Sequence, residues 1–194
     1  MDQFPALLIV IPLLAAPVAA ALPNNRLPWL LTTAVSWVVF VLAIAVAARV
    51  VDTGVISYTM GGWAPPYGIE VRIDALNAIV LLIVSGIGAV VTPFCGRSAP
   101  DEIRKGNLSL FYCLFLLTYT GLLGITVTGD IFNMFVFLEI SSLSSYALIA
   151  LGRDRRALTA AYQYLIMGTI GATFFLIGVG LLYAMTGTLN IVDL

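Results

Sequence analysis

An acid in the middle of an apolar run can do proton chemistry, and Glu139 stands in such a run, FNMFVFLEISSLSSYALIAL. Counted from Asp130 it lies nine residues along. At helical rise that is a depth of ~13 Å, close to the middle of a ~30 Å hydrocarbon core. An acid there costs ~3 kcal/mol on insertion scales and is tolerated where it faces protein or water. Hydrocarbon disfavours the ionised carboxylate, and water or a cation favours it. A carboxyl so placed can therefore accept and release a proton as its surroundings change. The competing role is a neutral glutamic acid hydrogen-bonded across a helix interface. No other Asp, Glu, Lys or Arg lies comparably deep in an apolar run.

At helical spacing, Phe132, Phe135, Ser142 and Tyr146 share a face with Glu139. Ser142 and Tyr146 are candidate pathway or water-binding groups. Ser141, Ser144 and Ser145 add small hydroxyl side chains, which also allow close helix packing. Further on, Gln163 is a neutral polar group one or two turns inside another apolar run, able to bind water without carrying charge. Gly168, Gly171 and Gly178 should form a smooth face fitted to a neighbouring helix. Asp130 and Asp154 are expected to cap helices, with Gly129 and Gly152 ending the helices before them. Asp74 fits a cap as well, or lines an outer vestibule with Asn77.

The elements that position these residues follow from composition. The 194 residues are 61% hydrophobic and 10% charged, and the mean hydropathy is +1.05. A soluble domain, ~25% charged, could not bury this much apolar surface, so lipid must be the main solvent. Six runs are long enough to cross: 4–22, 29–48, 75–94, 108–127, 131–151 and 158–185. Only helices satisfy the backbone in such runs, because barrel-type alternation is absent. The expected fold is a single all-α transmembrane domain of six spans. The first run lacks a basic leader, so a retained span is expected over a cleaved signal, although its VAAA end would pass as a cleavage site.

Alternating the loops puts Arg26, Arg97, Arg104, Lys105, Arg153, Arg155 and Arg156 on one side and only Arg49 and Arg72 on the other. Seven basic residues against two place the basic loops in the cytoplasm and the N-terminus outside. Residues 55–74 should form a short β-hairpin over the outer face, from VISYTM and IEVRI flanking Gly61-Gly62 and Pro65-Pro66. With no histidine and only Cys95 and Cys113, a metal site or haem is unsupported, and the cysteines read as reduced packing thiols. Basic patches for nucleic acid, nucleotide motifs and nucleophile elbows are likewise absent, so no cofactor is expected and soluble-type catalysis has no candidate residues.

The stretch GDIFNMFVFLEISSLSSYALIAL, at 129–151, resembles the antiporter-like membrane subunits, in particular the D subunit of Mrp-type multisubunit sodium/proton antiporters. Related subunits occur in respiratory NADH–quinone oxidoreductase and membrane-bound hydrogenases. The likeness continues through ALTAAYQYLIMGTIGATFFLIGVGLLYAMTGTLNIVDL and is looser over the first two thirds. It implies that Glu139 is the proton-transfer residue, paired with a lysine on a seventh span in a fold of about fourteen spans. It also implies an N-terminus outside. Many relatives carry a lysine at the position of Gln163. This chain is accordingly expected to be the N-terminal part of such a subunit, as a truncated product or one half of a split gene.

The leading expectation is an ion-translocating rather than enzymatic chain in a bacterial cytoplasmic membrane. It would move protons, with Na⁺ or K⁺ exchanged, among other membrane subunits and lipid. Two further readings stand beside it: the ion-handling membrane subunit of a redox-driven pump, and a non-conducting accessory subunit built on this half-fold. The face beyond the sixth span is expected to be apolar, glycine-lined and covered by another helix.

Overall fold

The computed structural model describes residues 4–23, 26–63, 68–104 and 106–194. Pro65, Pro66 and Lys105, used above for the hairpin and the charge count, lie outside them. Six long helices follow in order: α1 (Phe4–Ala21), α2 (Arg26–Thr53), α3 (Ala75–Glu102), α4 (Leu108–Val127), α5 (Ile131–Ala150) and α6 (Arg155–Thr186). All six are long and apolar enough to cross a membrane. α2, α3 and α6 run past their apolar stretches into polar turns at their ends. Gly54, with a φ of 81°, stops α2, and Gly187, with a φ of 73°, stops α6, its N–H donating to the Tyr183 carbonyl at 2.8 Å. Glycine adopts this left-handed conformation without penalty.

Between α2 and α3 lies the hairpin, β1 (Ile56–Thr59) antiparallel to β2 (Glu70–Ile73), with Ile56 opposite Ile73 and Thr59 opposite Glu70. It roofs one end of the bundle, where Val71 bridges Thr128 just after α4. Arg49, near the end of α2, lies 5.0 Å over the Phe4 ring at the start of α1. At the opposite end the Ser109 hydroxyl of α4 donates to the Leu22 carbonyl, and Ile103 bridges Gly152. The helices therefore alternate in direction. Among the described residues, Arg26, Arg97, Arg104, Arg153, Arg155 and Arg156 gather at the end away from the hairpin.

The core lies among α1, α2, α3 and α4. Leu8 and Ala16 of α1, Val39 and Ala43 of α2, Leu81 of α3 and Leu116 and Leu123 of α4 are buried in it. α1 thus packs as a full member of the bundle. α5 rests on α4, with Phe137 and Ser141 against Gly121 and Gly124. α6 rests on α5 alone of the helices, through Ala161, Ala172 and Val179, and its other faces are exposed.

Candidate functional site

α5 begins where two cap bonds and one strand-like bond satisfy its first N–H groups, which have no partner inside the helix. The Asp130 carboxylate accepts from the Asn133 N–H at 2.7 Å. The Ile131 N–H donates to the Leu189 carbonyl at 2.9 Å. Asp154 caps α6 in the same way, accepting from the Arg156 N–H at 3.0 Å, and Asp74 caps α3 through Asn77 at 2.9 Å. Asp74 and Asn77 also line a cleft of about 490 Å³ at the hairpin end, with Arg72, Met134 and Ile191.

Two expected glycine stops are corrected. Thr128, not Gly129, is the C-cap of α4, and Leu151, not Gly152, is that of α5. Neither glycine has a positive φ. Gly129 instead permits a close approach: its N–H donates to the Glu70 carbonyl at 2.8 Å, and a Cβ there would lie 3.1 Å from that oxygen.

From this anchored start Glu139 sits near the midpoint of α5 and is half-buried. Ser141 and Ser144 are buried, and Ser141 lies on the α4 side. Glu139 is two residues from Phe137 and from Ser141, about 160° around the helix from each, and so points away from α4. Tyr146, on the Glu139 side, is buried against α6, edge-on to Tyr164 with ring centroids 4.7 Å apart. Phe135, one turn before Glu139, stacks on Phe175 of α6 at 6.1 Å. Phe132, Val136 and Leu143 on the adjoining face are exposed. Glu139 thus lies on the seam between the α6 contact and an open face, with half-buried Ser142 one turn on. No hydrogen bond or ion pair to its carboxylate forms among the described residues.

Gly168 sets how closely α6 approaches: a Cβ there would fall on the Tyr146 hydroxyl. Of the three expected packing glycines only this one has a neighbour, since Gly171 and Gly178 look into open space. The face beyond the sixth helix is accordingly apolar and glycine-lined, with Ile170, Phe174 and Ile177 exposed on it.

Gln163 is not brought to Glu139. The Tyr146–Gly168 and Phe135–Phe175 pairs set the register of the two antiparallel helices. That register separates Gln163 from Glu139 by roughly 12–18 Å along the axes. Gln163 is exposed, and five residues from Gly168 turn it away from α5. The spacing within each helix was legible, but the register between helices depends on which glycine meets which ring.

A second polar cluster has no counterpart among the expected site residues. The Glu70 side chain is buried at 7% exposure and accepts from the Ser57 hydroxyl at 2.5 Å and from the Asn190 amide at 2.8 Å. The Ser57 hydroxyl, then the Asn190 amide and the Arg72 charge, hold the Glu70 carboxyl below the ordinary carboxylate range, against burial, which pushes it up. The signal was an acid inside a strand of apolar neighbours, IEVRI.

An alternating six-helix bundle of this kind, with one deep acid on its fifth helix, defines an antiporter-like membrane subunit fold. Residues 128–194 match the family model described as NADH:quinone oxidoreductase/Mrp antiporter, transmembrane. Over 99% of its length the chain is 46% identical to NADH-quinone oxidoreductase subunit N of Desulforudis audaxviator (strain MP104C), covering 38% of that protein. Over its full length it is 35% identical to the D subunit of the Na(+)/H(+) antiporter of Bacillus subtilis (strain 168), covering 39% of it. Its fold matches a chain of the membrane-bound sulfane sulfur reductase, an archaeal respiratory membrane complex, with a TM-score of 0.89 and 35% identity over 97% of this chain and 38% of that one. The chain belongs to this family of antiporter-like membrane subunits, and it spans about 38% of the length of the relatives it matches.

Proposed function

We propose that this chain is part of an ion-translocating subunit of a multisubunit membrane complex, with Glu139 as the group that takes up and releases the proton. The observation that carries the proposal is the position of Glu139. It is half-buried at mid-helix, on the seam beside α6, with no hydrogen bond or ion pair among the described residues. A carboxyl fixed in a neutral network could not change state cheaply; one on a seam changes state when water or a cation reaches it. Tyr146 and Ser142 line the same side of α5, Tyr146 holding α6 in place and Ser142 offering a hydroxyl to water. Membership of a family that includes a named Na⁺/H⁺ antiporter subunit supports exchange of protons against a monovalent cation. The basic end of the bundle faces the cytoplasm of a bacterial inner membrane in this reading, and the hairpin end faces outward.

A second reading keeps Glu139 in the same role but couples it to a redox reaction carried out by other subunits. The 46% identity to a NADH-quinone oxidoreductase subunit favours it. Reconstituted vesicles separate the two. Cation-gradient-driven proton movement by the purified complex supports the antiporter, and proton movement only on addition of an electron donor supports the redox pump. Loss of either activity in Glu139→Gln tests the role of the residue.

A further inference from the structure

A cleft of about 750 Å³ opens at the end of the bundle away from the hairpin, between the start of α2, the last turns of α3 and the start of α4. Arg26 and Arg97 line it with Trp29, Phe94 and Tyr112, and no carboxylate is among its lining residues. Its aromatic walls are fixed. The Trp29 indole N–H donates to the Thr92 carbonyl at 3.0 Å, and Gly96 leaves room for that ring, since a Cβ there would come within 2.5 Å of it. The Tyr112 hydroxyl donates to the Cys95 carbonyl at 3.3 Å. With both aromatic donors committed to backbone, the two guanidiniums are the cleft's strong free-facing donors, and both arginines are exposed.

We propose that this cleft binds one anionic phospholipid, its phosphodiester between Arg26 and Arg97 and its upper acyl chain along Pro93, Phe94 and Trp29. Three features select a lipid over a soluble anion. Trp and Tyr are the residues that sit at headgroup level in a bilayer. Basic pockets between membrane helices fit anionic headgroups, and a guanidinium pairs with phosphate oxygens in bidentate geometry. The volume far exceeds that of a bare phosphate, and Phe94 is 70% exposed at the cleft, an apolar surface suited to an acyl chain. Glu139 plays no part in the site.

The test uses the complex that carries this chain, purified from its native membrane, delipidated with detergent, then exposed to phosphatidylglycerol or phosphatidylcholine. Native mass spectrometry counts the lipids retained. Wild type should hold one more phosphatidylglycerol per chain than the Arg26→Gln/Arg97→Gln variant, should not hold phosphatidylcholine there, and should keep its lipid in excess inorganic phosphate. Equal retention by the variant overturns the proposal. Displacement by inorganic phosphate makes the cleft a simple anion site, and equal retention of phosphatidylcholine makes it an uncharged apolar groove; either result also overturns it. Should the double variant fail to assemble, a photoreactive phenylalanine analogue at position 94 in otherwise native protein decides the matter. Crosslinking to phosphatidylglycerol supports the site, and its absence overturns it.

Discussion

Asn190, after α6, donates its side-chain amide to Glu70 of the hairpin at 2.8 Å, across 120 positions of sequence. Around this bond the segment after α6, the turn before α5 and β2 lie side by side. Gly129 donates to Glu70 and accepts from Ile191, and Asp130 bridges Asn190. The start of the helix that carries Glu139 is thereby held between the hairpin and the end of α6.

Replacing Asn190 by leucine leaves the buried Glu70 carboxylate without its amide donor. Stranding such a group costs ~1–3 kcal/mol. We expect backbone amides at 128–131 and 189–191 to exchange hydrogen faster in Asn190→Leu, with the middle of α4 unchanged. Unaltered exchange in the turn would show that the clasp contributes nothing.

The same carboxylate makes the clasp pH-dependent. The Glu70 carboxyl is lowered from an ordinary value of 4.5 in the folded protein. A group depressed in this way stabilises the fold fully above its unfolded value, and the contribution is lost as pH falls through the folded one. Thermal stability of the purified wild type should therefore fall below about pH 4.5 more steeply than that of Glu70→Gln, and the two slopes should converge above it. Parallel slopes in the acid range would contradict this.

Gly168→Ala should loosen the α5–α6 contact, because the new methyl would fall on the Tyr146 hydroxyl. Overpacking of this kind costs ~1–3 kcal/mol. Tyr146→Phe should recover only part of the loss, since the ring carbon that bore the hydroxyl would still be 2.6 Å from the Cβ. Gly171→Ala, with nothing within 4 Å, is the control and should leave the stability of this contact unchanged. Thermal unfolding of the four proteins reads the comparison, and equal losses at positions 168 and 171 would refute the assigned register.

The α-helical class and the hairpin were legible because each follows from local pattern: apolar runs too long for anything but spans, and two short β-prone stretches around glycines. The depth of Glu139 was legible by counting from Asp130. What sequence could not supply was pairing between distant segments. Asn190 and Glu70 read as ordinary polar residues near helix and strand ends, and only the folded chain joins them. Gln163 sits at a plausible depth in its own helix, yet the Tyr146–Gly168 contact fixes a register that carries it away from Glu139. Gly129 read as a helix stop by residue type, while its use is to let β2 come close.

From that register, Gln163→Leu should leave the pH dependence of proton movement unchanged, because the side chain is roughly 12–18 Å along the axes from Glu139. A shifted pH profile in vesicles containing the variant complex would show that Gln163 communicates with the site.

The central claim is that Glu139 carries the proton. The measurement is proton flux across vesicles reconstituted with the whole complex, comparing wild type, Glu139→Gln and Glu139→Asp at equal incorporation. Glutamine keeps the size and hydrogen bonding of the neutral acid but cannot release a proton. Flux in Glu139→Gln should fall to that of protein-free vesicles, with partial flux in Glu139→Asp. Full flux in Glu139→Gln would contradict the account and leave Glu139 a neutral packing residue in a non-conducting subunit.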